Sequence, residues 1–465
     1  MAERLSALDA SFLEAETPSA HMHVGWAALF DPPAEGPPPS SEQLRDHIAR
    51  RLHRAPRYRQ RLAQDPLGLA SPAWVDDDRF DVAYHVKTSL AGDLLELAGS
   101  VMSTPLGRER PLWELWIADG LEDGRIGVVG KAHHCMVDGL AAVELASLLL
   151  DPTPDPPPAE LDGWSPAAPP GAAGLLLGAA AYRLRQGLDV AALSASLATS
   201  PRRVAGLAAR AGRAGRALMH SLVPAAPDSL LNEPLSPYRS LAAATRPFED
   251  LRLVKRAFEV TVNDVVLAVA TGGVSSYLAE HGAGCDRLKA MVPVSVRANG
   301  AAGELGNRIA FMFLDLPCGE PDPERRLRAL HAAASQRKES GEPDGAEAVL
   351  GLVSYAPSLV QRVLTRVVAS PRTFNLAVSN IPGPPQSMYL LGCPLREAYP
   401  VVPLADRHAL SIGFTTVAGQ ACFGVYCDRD ALPDAHRLTA CLHRALDELM
   451  ELAQPGATQE AGVPA

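Results

Sequence analysis

The stretch "DPTPDPPPAELDGWSPAAPPG", from Asp151 to Gly171, constrains this chain more than any other, because eight of its 21 residues are proline. Proline lacks an amide donor and has a fixed φ, so such a segment can form neither a helix nor a central strand and must run as an extended connector. It interrupts a chain of 465 residues, more than a single hydrophobic core ordinarily supports. The reading is therefore two domains, one on each side of the break.

Both sides alternate strand and helix signals, which is an α/β pattern. In residues 1–150, "AHMHVGWAALF", "RPLWELWIADG" and "RIGVVGKAHH" read as strands. "SSEQLRDHIARRLHR" reads as a helix, with Ser40 and Gln43 at capping-box spacing and Leu44, Ile48 and Leu52 along one face. Residues 151–235 read as a crossover linker, first Pro-rich and then Ala/Leu/Arg-rich. Between Gly171 and Leu222, Arg183, Arg185, Arg202, Arg203, Arg210, Arg213 and Arg216 stand against the single acid Asp189. This is either a solvated helical connection or an amphipathic surface for anionic lipid. Residues 236–452 form the second α/β unit. It has a capped helix in "FEVTVNDVVLAVATGGVSSYLAEHG", buried strands in "RLKAMVPVSVRAN", "NRIAFMFLDLP" and "RTFNLAVSNIPGP", and a hairpin turning at Ala418-Gly419. Residues 453–465 lack apolar periodicity and are expected to be disordered.

A formal net charge of -10 excludes a general nucleic-acid binder, since phosphate backbones reward the opposite sign. The seven cysteines never form a Cys-x-x-Cys pair, which points to a reduced cytosolic compartment without a disulfide framework or structural zinc. The N-terminus carries acids where a secretion signal needs an apolar run. The longest uncharged apolar run, Gly171 to Tyr182, falls short of the roughly 20 residues that span a bilayer.

Chemistry concentrates in "GKAHHCMVDGLAAVELASLLL", where His133 and His134 close a strand and Asp138-Gly139 opens a helix. Adjacent strand residues face opposite ways, so at most one imidazole looks into a given cleft, and periodicity does not say which. Asp138 is placed to cap the helix, and Gly139 permits the tight turn. A structural pair, a metal site and a general base all compete; adjacent strand histidines diverge, which counts against metal. Cys135 is poorly placed to form a dyad with His134 if it follows on the same strand. No nucleophile elbow, dinucleotide fingerprint or kinase set occurs. What remains is a histidine that deprotonates a substrate hydroxyl for attack on an activated acyl group.

"HHCMVDG" resembles the HHxxxDG motif of the superfamily that includes chloramphenicol acetyltransferase and peptide-synthetase condensation domains. With "LSALDASFLEAETPSAHMHVG", "RPLWELW", "TVNDVVLA" and "SNIPGP" in that order, the chain resembles the bacterial wax ester synthase/diacylglycerol acyltransferase family over nearly its whole length. The resemblance implies an α/β fold of two chloramphenicol-acetyltransferase-like domains with a substrate tunnel at their interface. It implies that no cofactor is bound, that acyl-CoA is a co-substrate, and that the acceptor is diacylglycerol or a long-chain alcohol. By the same resemblance His134 is the general base, His133 a support that orients the loop, and Asp138 a structural residue paired with Arg297. Asn263 and Asp264 form the family's Asn-Asp motif, either binding the acceptor or simply capping a helix with Asn263. Because such acceptors partition into lipid, a cytoplasmic protein lying peripherally on the inner membrane face or on lipid droplets is expected. The rival readings are a carrier-dependent condensation-like enzyme, which shares HHxxxDG alone, and a non-catalytic lipid-binding protein of the same fold.

Overall fold

The computed structural model describes residues 3–121, 124–136, 148–157, 159–161, 163–200, 223–295, 309–339 and 366–454, with positions 202, 204–206, 209, 212 and 215 between. In chain order the strands are β1 (His23–Phe30), β2 (Gln60–Ala63), β3 (Ala73–Asp76), β4 (Val86–Leu90), β5 (Trp113–Asp119), β6 (Ile126–His133) and β7 (Arg239–Pro247). There follow β8 (Leu288–Ser295), β9 (Ile309–Leu316), β10 (Leu376–Asn380), β11 (Tyr389–Leu390), β12 (Cys393–Val401), β13 (Leu410–Val417) and β14 (Gln420–Asp428). They build two six-stranded mixed sheets, ordered β11-β12-β1-β6-β5-β4 and β7-β14-β13-β10-β8-β9, with β2 and β3 as a separate pair.

The two halves of the chain do not map cleanly onto the two sheets. β11 and β12 lie in residues 236–452, yet β12 pairs antiparallel with β1 and completes the N-terminal sheet. The domain expectation is corrected to that extent: the C-terminal half lends two strands to its neighbour. Where β12 leaves, Pro400 presses on Gly413 and Gly424, and a Cβ on Gly424 would sit 2.2 Å from the Pro400 carbonyl oxygen. No local pattern separates a lent strand from a resident one, so the sequence does not reveal this exchange.

Every residue of β6 is buried, as its continuous apolar run requires. Ile126, Val128 and Ala132 enter the N-terminal core, while Val129 faces the other way, into the core shared with the C-terminal lobe. The Leu94–Ser103 helix lies on that second side, between the two lobes, and packs on β7. The deeply buried Lys131 of β6 donates to the carbonyls of Val101 and Thr104 at 2.8 and 2.7 Å, placing a cation where the helix dipole ends. Gly25, paired with Lys131 on β1, is small for a reason: a Cβ there would meet Gly130 O at 2.2 Å.

In the second lobe the Val262–Glu280 helix runs through the core. Among the described residues it is the one helix long and apolar enough to cross a bilayer, but 72% of that apolar window is buried inside the protein. The capping box at Ser40 and Gln43 is present as read, with Leu44 and Ile48 buried below it. So is the β13–β14 hairpin, whose turn residues Ala418 and Gly419 both take positive φ (48° and 78°). In the crossover, a 27-residue helix spans Ala172–Ala198. It docks through Ala179 and Tyr182, the latter under Arg4, and leaves Leu177, Leu184 and Leu188 exposed at 72%, 67% and 62%.

Candidate active site

The histidine pair is not a continuous stretch of strand. β6 ends at His133, and His134–Met136 form a single turn of 3-10 helix. The expectation that alternation would orient both rings is corrected accordingly, and so is the argument that Cys135 follows on the same strand. Two neighbouring segments fix the turn. The His133 amide donates to Leu112 O at 2.9 Å, in the "PLWE" stretch, and the His134 amide donates to Met22 O at 3.0 Å. Met22 takes φ 49°, a conformation a non-glycine residue rarely adopts, which aims that carbonyl at the turn.

The His134 ring stacks on Phe12 of the Ala7–Ala15 helix, with centroids 3.7 Å apart and planes 19° from parallel. The residue is half-buried and its Nδ1 is buried without a hydrogen-bond partner among the described residues. Burial pulls its pKa down to about 4; the carbonyl of His134 itself opposes this, and His133 adds to it. The ring is therefore neutral throughout the physiological range. Burial drives the adjacent Cys135 thiol far above its ordinary pKa, so it carries no thiolate.

His133 is buried and faces the interior between the lobes, opposite His23 across β1 and β6. Its Nδ1 accepts the Cys135 amide at 3.1 Å, and its Nε2 lies 3.7 Å from Glu16 Oε2. Glu16 in turn pairs with Arg108. Burial alone would raise the Glu16 pKa, but His133 and Arg108 together bring it below the ordinary carboxylate value. His21 Nδ1 and both nitrogens of His23 are also buried without partners among the described residues. There, no group of three or more His, Cys, Asp or Glu is arranged to hold a metal ion.

Asp138, Gly139 and Arg297 fall outside the described residues, so their expected pairing does too. Asn263 is half-buried in the first turn of the Val262–Glu280 helix. The cap is Thr261, not Asn263, because Thr261 holds the extended backbone (φ -90°, ψ 159°) from which a hydroxyl reaches the third amide. Asp264 is buried, and its Oδ2 accepts from the Thr261 amide, the Thr261 hydroxyl and His331 Nδ1 at 2.8 to 2.9 Å. That carboxylate oxygen is committed to the helix start. Phe12, Glu16 and Met22 went unremarked in the sequence. The one available signal was their place in "SFLEAETPSAHMHV", where Phe12 and Glu16 stand four residues apart.

A cavity of about 320 Å³ opens on the other side of the Ala7–Ala15 helix, bounded by Ala10, Gln64, Arg108, Tyr182 and Gln186 and by neither histidine of the pair.

Two mixed sheets, a strand lent between them and a histidine turn where they meet define the condensation-domain class of fold. A solved relative of that class, the starter condensation domain of rhizomide synthetase, superposes with a TM-score of 0.58 over 97% of this chain and 94% of its own, at 14% identity. The chain belongs to the wax ester synthase/diacylglycerol acyltransferase family: that family's catalytic domain matches residues 5–266 and its C-terminal domain residues 305–450. The wax ester synthase/diacylglycerol acyltransferase from Marinobacter aquaeolei superposes with a TM-score of 0.70 at 26% identity, covering 97% of this chain and 99% of that one. Two probable diacylglycerol O-acyltransferases of Mycobacterium tuberculosis, tgs1 and tgs2, are 32% and 33% identical. They cover 97% and 95% of this chain and 96% and 97% of their own lengths. The chain is thus an acyltransferase.

Proposed function

We propose that this enzyme transfers a long-chain acyl group from acyl-CoA to the hydroxyl of diacylglycerol, making triacylglycerol, and to long-chain alcohols, making wax esters. His134 serves as general base and no acyl-enzyme forms. The observation that carries this reading is the neutral His134 ring on a turn held by Leu112 and Met22, with Nδ1 buried. This leaves Nε2 for the acceptor. As the acceptor oxygen attacks the thioester carbonyl its hydroxyl becomes strongly acidic, and even a weakly basic imidazole takes the proton. The tetrahedral intermediate then expels the CoA sulfur, and the imidazolium, a strong acid with so low a pKa, returns the proton to it. The protonated Cys135 thiol is a poor alternative nucleophile. Membership of the family favours this over a carrier-dependent condensation reaction.

The proposal extends to place. Acyl-CoA and acceptor meet in a tunnel between the lobes, and the enzyme sits peripherally on the cytoplasmic face of the membrane or on lipid droplets. The outward Leu177, Leu184 and Leu188 stripe supports the second part, since it presents apolar side chains on one face of an exposed helix.

The test offers purified enzyme palmitoyl-CoA with diacylglycerol and hexadecanol separately, following thiol release and lipid products. Both esters are expected; turnover only with a carrier-tethered acyl group would overturn the reading.

A further inference from the structure

We infer that Glu16 is a positioning residue for the histidine turn, acting by fixing which nitrogen of His133 carries the proton; the inference rests on the proposed role of His134. A backbone amide can only donate, so the Cys135 amide at 3.1 Å from His133 Nδ1 requires a lone pair on that nitrogen. The ring proton of His133 therefore sits on Nε2, which faces the Glu16 carboxylate at 3.7 Å. That separation is too long for a full hydrogen bond, but a fixed negative charge there favours the Nε2–H form over its tautomer. The partner of Glu16 on its other side, Arg108, holds the carboxylate ionised and in place.

The consequence runs along the backbone. With the proton on Nε2, Nδ1 accepts the Cys135 amide, and that bond closes the turn that presents His134. With the proton on Nδ1, two donors would face each other and the turn would open. Glu16 leaves the Ala7–Ala15 helix one turn after Phe12, which stacks on His134, so the same short segment sets both histidines. Glu16 acts through His133, the histidine its carboxylate faces.

Glu16→Gln keeps the size of the side chain and removes its charge. In the full-length enzyme it is expected to lower kcat about ten- to a hundredfold, the scale of a small misplacement of a reacting group, while KM for palmitoyl-CoA changes by less than about threefold. Glu16→Asp, which restores the charge, should recover part of kcat. The distinguishing readout is nitrogen NMR of histidine-labelled protein, with His133 identified by its loss in His133→Asn. The wild type should show Nε2–H alone, and Glu16→Gln a mixture of tautomers. A proton on Nδ1 of His133 in the wild type overturns the inference without any variant. So does a Glu16→Gln enzyme within threefold of wild-type kcat, or one whose His133 tautomer is unchanged. The tautomer is read without turnover, so this result stands apart from any failure of His134 as base.

Discussion

At the scale of single residues, the surroundings of His134 matter more than its identity. An imidazole in water is half-protonated near 6.5, whereas this one, half-buried beside Phe12, is pulled down by burial to about 4. The acid limb of kcat/KM should therefore fall well below 6.5, with activity flat from about pH 5.5 to 8. A half-maximum at or above 6.5 would contradict the assignment. His85 and His408 are also buried and pulled to about 4, so the folded state disfavours their charged forms. Unfolding restores their ordinary affinity for protons, so stability is intact above 6.5 and declines as the pH drops from there toward 4. Each contributes about 3 kcal/mol to that decline. Tryptophan fluorescence recorded alongside the rates would separate acid unfolding from protonation of the base. The sequence showed the pair, and only the family resemblance pointed to His134; Phe12 and Met22 were not legible, because ring stacking and a left-handed carbonyl depend on chain segments more than a hundred residues distant.

Among elements, those that could be read from local chemistry were read well. Ser40 with Gln43, and Ala418-Gly419, each carry their own turn or cap geometry within a few residues. The helix at Val262 was legible but its cap was not, since Thr261, Asn263 and Asp264 are all capable caps and only the backbone decides. The "SNIPGP" turn shows why one small residue is required: a Cβ on Gly383 would lie 1.7 Å from the Thr416 carbonyl oxygen on β13. Gly383→Ala should cost about 1 to 3 kcal/mol, the usual penalty of forced overpacking, measured as a lower urea midpoint. Gly187→Ala, on the exposed Ala172–Ala198 helix with open space around it, should instead be neutral or stabilising by up to about 1 kcal/mol. Equal effects at the two sites would refute the packing argument.

For the molecule as a whole, the two-lobed α/β plan followed from the proline break and the alternation of elements, and the exchange of β12 did not. Pairing between residues such as Gly25 and Val401 is non-local, and no periodicity encodes it. A further tie between the lobes is the fully buried Arg239–Asp428 pair, whose arginine also donates to Ser19 O in the N-terminal segment. The outward leucine stripe belongs to this scale too, because it is meaningful only once the opposite face of its helix is seen to dock. Replacing Leu177, Leu184 and Leu188 together with Gln should reduce flotation with anionic liposomes by about tenfold while leaving turnover of detergent-dispersed substrate unchanged. Undiminished flotation would remove this helix as the anchor.

The central claim is that the imidazole of residue 134 takes the acceptor's proton. Its most direct test is the rate of ester formation from palmitoyl-CoA and diacylglycerol by His134→Ala, in protein whose melting temperature matches the wild type. A loss of about a thousandfold is expected, within the range that a positioned base supplies. A rate within a few fold of the wild type would contradict the account.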